Sequence, residues 1–345
     1  MREIAGKPTC EPEILTSRDA ALLEPLHGSS VTVVGYGNQG RAHALNLRDS
    51  GVFVAVAGRA GGQGIAAAQT DGFPAGTVEE IVPGAALVIV ALPDEVHESA
   101  CPVIERLMAQ SATMGFLHGT SVHFGLFRPA QGRAVIMVAP KGPGTTLRAR
   151  FLEGHGIPAL CAVAQDGGST DAARSLALAW GAGIGCARAG LIMTTFREEA
   201  ETDLFGEQAV LCGGMIALVR AAYETLVDAG YPPMLAYIEC CHELKQVADL
   251  VHDRGIAGMR AAISNTAEAG ADAAISALDD SALRSRMRAI LDRVRSGDFV
   301  QALARDARAG FPGLTASRQT AASHPMEESG RAVRELLPWL RRDAE

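Results

Sequence analysis

Two carboxylate pairs in the second half of the chain have the spacing that metal chemistry uses: Asp203 with Glu207, and Glu239 with Glu243. Residues four apart lie on one face of a helix, and Glu199 extends the first pair to i, i+4 and i+8. Like charges so placed cost a helix roughly 0.2–0.5 kcal/mol per pair. The neighbouring stretches 209–213 and 236–238 and Leu244 read as apolar and buried, where a carboxylate needs a proton or a cation. Hard oxygen donors with no accompanying Cys or His set point to Mg²⁺ or Mn²⁺. One such pair alone reads as a solvated acidic face; two on apolar helices favour the cation.

A second constellation lies near the N-terminus. Gly35, Tyr36, Gly37, Asn38, Gln39 and Gly40 follow a β-branched run and open a helical pattern. That context gives G-x-G-x-x-G its meaning: a tight turn, close approach of phosphate to backbone N–H groups, and close helix–strand packing. The next strand pattern ends at Arg59, where an acid would bind a ribose 2′-hydroxyl and repel a 2′-phosphate. A guanidinium favours NADP(H), the alternative being a solvated loop arginine.

The elements that must carry these groups divide the chain. Residues 1–28 read as a short helical or irregular arm. Strands are expected at 31–34, 52–57, 86–92, 113–117 and 134–138, alternating with helical stretches such as 41–49, which describes a parallel α/β sheet. Helical periodicity takes over at 198–218, 220–229, 234–252 and 281–296, with Thr195 and Glu198 at capping-box spacing. The expected organisation is an α/β domain over 29–190 and an all-α domain over 191–335. The turn-rich stretch after Gly310 reads as peripheral, ending in a tail over 336–345.

With 345 residues, 48% hydrophobic and 20% charged, the chain is long and apolar enough for two folded cores. A formal charge of −8 argues against a nucleic-acid or anionic-membrane surface. No apolar run approaches the ~18 residues of a membrane span. The seven cysteines, at 10, 101, 161, 186, 212, 240 and 241, form no C-x-x-C and read mostly as small core residues in a reducing compartment. With no signal-peptide pattern in the first 30 residues, a cytoplasmic protein is expected.

Taken together, the motifs resemble the ketol-acid reductoisomerases, also called acetohydroxyacid isomeroreductases, in their short, class I form. The resemblance is carried by the run from Gly35 to Gly51, by Leu92-Pro93-Asp94-Glu95, and by the segment from Val138 through Lys141 to Gly144. It continues through Thr194 to Gln208, Glu239 to Lys245 and Ile263 to Glu268, and reaches Pro338-Trp339. It implies a Rossmann-like domain followed by interlocked, knotted helical domains that form a homodimer, with assembly beyond the dimer left open. It also implies conversion of 2-acetolactate or 2-aceto-2-hydroxybutyrate to a 2,3-dihydroxy acid, using two Mg²⁺ ions and NADPH, in branched-chain amino-acid synthesis.

Carried over by position, Asp203, Glu207, Glu239 and Glu243 match the metal ligands, the second pair being presented by the partner subunit. His118, Lys141 and Glu199 match catalytic residues, Ser264 the substrate-carboxylate contact, and Asp94 and Gly144 cofactor-binding positions. Taken alone, His118 reads as a buried structural histidine, Lys141 as a surface lysine and Ser264 as a helix cap. The chain departs from the family's usual H-G-F-N-I-H-F-G, placing Thr120 and Ser121 where Phe and Asn are usual. It has Gly62 and Gly64 for loop serines, Met193 for an acid, and Ala261 and Ala269 for tyrosines. Thr120, Ser121 and Ala261 are therefore expected to shape the substrate pocket. Either the usual 2-acetolactate chemistry is retained, or a diverged relative handles another 2-keto or 2-hydroxy acid in specialised metabolism. A non-catalytic dinucleotide-binding homologue is the third reading.

Overall fold

The computed structural model describes residues 2–4, 7–9 and 11–337. The expectations for Cys10, Pro338 and Trp339, and for most of the tail over 336–345, lie outside them. The described chain forms two compact units, one up to Thr202 and one from Asp203.

The first unit is built on strands. A hairpin of β1 (Arg2–Ile4) and β2 (Lys7–Thr9) precedes β3 (Ile14–Leu15), β4 (Ser30–Val34), β5 (Phe53–Gly58) and β6 (Ala75–Thr77). Then follow β7 (Leu87–Val90), β8 (Thr113–Phe116), β9 (Ala134–Pro140), β10 (Ala159–Asp166) and β11 (Leu191–Met193). Strands β3 to β11 make one sheet in the order β3-β11-β10-β9-β8-β7-β4-β5-β6. The central strands are apolar throughout because both faces are covered. Val31, Val33, Leu87 and Ile89 enter one core, whereas Val34, Val88 and Val90 enter the other. The parallel block from β9 to β6 turns the C-terminal ends of β4, β7, β8 and β9 to one edge. The strand order diverges on either side of β4, and sheets of this kind bind ligands at such a switch point.

The structure bears out the parallel core of the sheet and adds detail at its edge and in the arm. The sheet is mixed: β10 runs antiparallel to β9, and β3 antiparallel to β11. Strand β10 begins buried and ends in Gln165 and Asp166, so neither a pure alternation nor an unbroken apolar run marks it. The N-terminal arm is not merely helical or irregular, since β3 joins this sheet and the 3-10 turn Ala20–Leu26 buries Leu26.

In the second unit the segment Glu207–Leu211 is a π-helical turn leading into the helix Gly213–Asp228. A second π turn, Ile238–His242, joins Pro233–Tyr237 to Leu244–Arg260. The helices Asn265–Leu278, Ser281–Arg295 and Asp298–Arg308 follow. The stretch after Gly310 is peripheral only in part: Pro312–Ala322 buries no residue, whereas Pro325–Glu335 places Met326 with Val219, Tyr223 and Ala236 in the unit's small core. Proline at the start of each of these helices resembled a turn signal, but there its missing N–H costs nothing.

The membrane expectation also needs correction. Helical residues run from Phe196 to Asp228, long and apolar enough to cross a membrane by length and composition, with a window of mean hydropathy 1.5. Arg220 and Glu224 interrupt the apolar residues of that stretch, so no unbroken apolar run marks it. Among the described cysteines only 101, 161 and 186 are buried, whereas Cys212 is exposed. Burial pushes the Cys101 and Cys161 thiols up to about 12, so they are inert packing groups.

Candidate functional site

The glycine loop sits between the end of β4 and the helix Asn38–Asp49. Gly35 adopts φ 99°, and a Cβ there would lie 2.5 Å from the Ala91 carbonyl oxygen. Gly37 is the N-cap and supplies no side-chain cap, and nothing lies within 4 Å of where its Cβ would be. Uncapped first-turn N–H groups beside open space suit a pyrophosphate, so the loop fits a dinucleotide. Asn38 and Gln39 tie it to the next loop: Asn38 Oδ1 accepts from the Thr145 N–H at 2.9 Å, and Gln39 Nε2 donates to the Gly142 carbonyl at 2.9 Å. Gly144 is pressed against Asn38, whose carbonyl oxygen would lie 2.2 Å from an added Cβ. Gly40 is buried in the first turn of the helix.

Tyr36 has its hydroxyl engaged within the protein. It donates to Asp71 Oδ2 at 2.7 Å, where Arg41 Nε also donates. The hydrogen bond from Arg41 holds the Asp71 carboxyl down to about 2, and burial raises the Tyr36 phenol. Arg59 is exposed at the mouth of the loop, and no hydrogen bond or ion pair engages its side chain among the described residues. Gly62 and Gly64 give that loop no side-chain donor.

At the same edge of the sheet a buried acid gathers polar partners. Glu199, on the helix Phe196–Gly206, is 0% exposed. Lys141, just beyond β9, donates from Nζ to Oε1 at 2.7 Å, and the Gly119 N–H donates to Oε2 at 2.7 Å. His118, just beyond β8, brings Nε2 to 3.6 Å from Oε2. On its other side His118 Nδ1 lies 3.0 Å from Asp94 Oδ2 and 2.7 Å from Thr120 Oγ1. The helix starts where its capping signal stands, with the Glu198 N–H donating to Thr195 Oγ1 at 3.1 Å. The Glu198 carboxylate instead accepts from the hydroxyls of Thr194 and Thr195.

Thr120 and Ser121 do not line an open pocket. They are 3% and 0% exposed, and Ser121 Oγ lies 2.6 Å from Nδ1 of the buried His97. Three features of this cluster escaped the sequence reading: the Gly119 N–H, His97, and Asp94 as a partner of His118. A backbone donor carries no residue-type signal, and contacts across neighbouring strand ends have no fixed spacing. Only the i, i+3 separation of Asp94 and His97 was visible in advance.

One turn beyond Glu199 on the same helix stands Asp203, and Glu207 opens the π turn. Glu239 lies inside the second π turn and Glu243 at its end. π turns inside helices are frequent at functional sites, because they shift the register of the side chains that follow. The expected burial is absent: Glu207, Glu239 and Glu243 are exposed, as are Val210, Leu211 and Leu235 nearby. Within the second unit no three His, Cys, Asp or Glu ligand atoms come together among the described residues. The four carboxylates offer the hard oxygens a divalent cation takes, yet this chain does not bring the two pairs to one point. Ser264 caps the helix Asn265–Leu278, accepting from the Ala267 N–H at 3.2 Å.

Comparison with known proteins decides the family. Residues 25–190 match the acetohydroxy acid isomeroreductase NADPH-binding domain, and residues 196–339 match the ketol-acid reductoisomerase C-terminal domain. The chain belongs to the ketol-acid reductoisomerase family. It is similar, at 37% identity and TM-score 0.89, to an NADH-preferring ketol-acid reductoisomerase from an uncultured archaeon, over 94% of this chain and 99% of that one. It shares only a fold, at 15% identity and TM-score 0.58, with a semialdehyde dehydrogenase NAD-binding protein from Cupriavidus necator, over 78% of this chain and 99% of that one. The short length fits the compact form of the family. As a ketol-acid reductoisomerase oxidoreductase, the chain pairs a nicotinamide dinucleotide domain with an all-helical domain.

Proposed function

We propose that this protein converts 2-acetolactate and 2-aceto-2-hydroxybutyrate to 2,3-dihydroxy acids, using Mg²⁺ and NADPH, within cytoplasmic branched-chain amino-acid synthesis. The observation that carries the reading is the buried Glu199 with Lys141, the Gly119 N–H and His118 around it, at the sheet edge from which the glycine loop also leaves.

Each residue has a task its chemistry allows. Lys141 and the Gly119 N–H engage both oxygens of Glu199, so this carboxylate cannot rotate. The Lys141 side chain is 31% exposed, so its ammonium also faces out of the buried cluster. Ser264, already a helix cap, keeps a hydroxyl proton to offer a substrate carboxylate. Asp203 and Glu207, with Glu239 and Glu243 from a second copy, would hold two Mg²⁺ ions. Bound there, divalent cations supply the Lewis acidity that alkyl migration between adjacent carbons requires. NADPH supplies the hydride for the 2-keto acid.

The same reading accounts for the bare apolar surface of the second unit. A second copy, through interlocked helical domains, would cover Leu211, Leu218 and Leu235 while delivering the missing acid pair. The apolar helix Phe196–Asp228 would then be covered by protein rather than by lipid.

The test is turnover of purified protein on 2-acetolactate with Mg²⁺ and either cofactor. Metal-dependent NADPH oxidation yielding the dihydroxy acid is expected. Reduction of 2-keto-3-hydroxyisovalerate without acetolactate turnover would overturn the reading. NADPH is expected to be preferred over NADH through Arg59, and Arg59→Ala should narrow the kcat/KM ratio by about tenfold, the scale of one ion pair to a phosphate. An unchanged ratio removes Arg59 from cofactor choice.

A further inference from the structure

Two neighbouring hydroxyls at the start of the short helix Thr120–His123 each meet a histidine ring. Ser121 Oγ lies 2.6 Å from Nδ1 of His97, and Thr120 Oγ1 lies 2.7 Å from Nδ1 of His118. Asp94 faces both rings, its Oδ2 at 3.0 Å from His118 Nδ1 and its Oδ1 at 3.7 Å from His97 Nδ1.

Donor and acceptor capacities decide where the protons sit. The Leu92 carbonyl, 3.0 Å from His97 Nε2, can only accept, so His97 carries a proton on Nε2. Burial lowers the His97 pKa, which keeps the ring neutral and leaves Nδ1 with a lone pair. Ser121 O–H donates into that lone pair. His97 Nδ1 then has no proton for Asp94, and the carboxylate accepts the Nδ1–H of His118 instead. Thr120 Oγ1 is a second acceptor for the same N–H. His118 thus carries a proton on Nδ1, with Nε2 the nitrogen nearer Glu199.

We propose that Asp94, Thr120 and Ser121 are positioning residues that keep Nδ1 of His118 protonated and turn its Nε2 toward Glu199. The proposal rests on the reductoisomerase reading for its catalytic consequence, though not for its geometry. It gives the unusual Thr120-Ser121 pair a task, since a phenylalanine at position 120 offers the ring no oxygen. The pair thus tunes the orientation of a catalytic histidine rather than the shape of a substrate pocket.

Two measurements on the full-length protein test it. Nitrogen-15 spectra of histidine-labelled protein at neutral pH, assigned with His97→Gln and His118→Gln, distinguish the tautomers directly. The expected result is Nδ1–H for His118 and Nε2–H for His97. A proton on Nε2 alone in His118 would overturn the proposal. In steady-state kinetics, Thr120→Val should lower kcat about tenfold, the scale of one orienting hydrogen bond, with KM and NADPH affinity within about twofold. Thr120→Ser, which keeps the hydroxyl, should restore most of the loss. Equal losses in Thr120→Val and Thr120→Ser, or a raised KM at unchanged kcat, would contradict it. If the wild-type protein does not turn over 2-acetolactate, the reductoisomerase reading fails and the tautomers still decide this proposal.

Discussion

Glu199 and the pair Glu239 and Glu243 present the same functional group in opposite settings. Glu199 is wholly buried, and each of its oxygens has a donor supplied by its own unit. Glu239 and Glu243 are exposed and make no ion pair among the described residues, on a surface where Val210, Leu211 and Leu218 are also bare. A carboxylate can be buried only where its charge is already met, and the first unit meets that condition alone. The second unit shows the reverse arrangement, with acids and apolar side chains exposed together. One unit carries a preorganised cluster, and the other leaves its acids exposed.

The largest effect should come from breaking the buried cluster. Glu199→Gln replaces an acceptor-only group with an amide that presents N–H to Lys141 or Gly119. Turnover should fall about 10²–10⁴-fold, as for loss of a positioned acid–base group, with dinucleotide affinity preserved. Near-normal kcat would mean the buried cluster is structural. In the second unit, Leu211→Glu places a charge on the bare surface beside Glu207. It should weaken self-association by about 30-fold or more, the scale of one buried anchor residue, as read by sedimentation across concentration. An unchanged association constant would show that this face is not where copies meet.

A smaller effect sharpens the contrast through stability. His43, 0% exposed, accepts from Trp180 Nε1 at Nδ1, so its proton sits on Nε2, which has no partner. Burial lowers its pKa from 6.5 to about 3. The folded state keeps the ring neutral while the unfolded state protonates below 6.5, so stability is full above 6.5 and falls as pH drops toward about 3. The slope approaches about 1.4 kcal/mol per pH unit in that window. Denaturation at pH 7 and pH 5 should show this loss in the wild type and less of it in His43→Gln. Equal losses in both would assign the pH dependence elsewhere.

Local signals were the legible ones. The glycine loop was readable because a β-branched strand precedes it and a helix follows, and the central strands because double-sided burial makes them apolar throughout. The i, i+4 acids marked helices correctly, but spacing alone assumes a regular helix and missed the π turns at Glu207 and Ile238. Apolar neighbours suggested buried acids, whereas Val210 and Leu211 are exposed in the single chain. Hydrophobicity says that a surface must be covered, not which chain covers it. The strand β3 and the contact of Asp94 with His118 depend on tertiary proximity and leave no periodic trace.

The central claim, that the second unit's acids are completed by a partner, is tested most directly by mixing two inactive variants. Asp203→Ala removes one acid pair's contribution and Glu239→Ala the other's, and each alone should abolish turnover. After subunit exchange, verified with differently tagged copies, hybrid dimers with one intact site should recover measurable metal-dependent NADPH oxidation on 2-acetolactate. No recovery in proven hybrids would contradict shared sites and return all four carboxylates to a single chain.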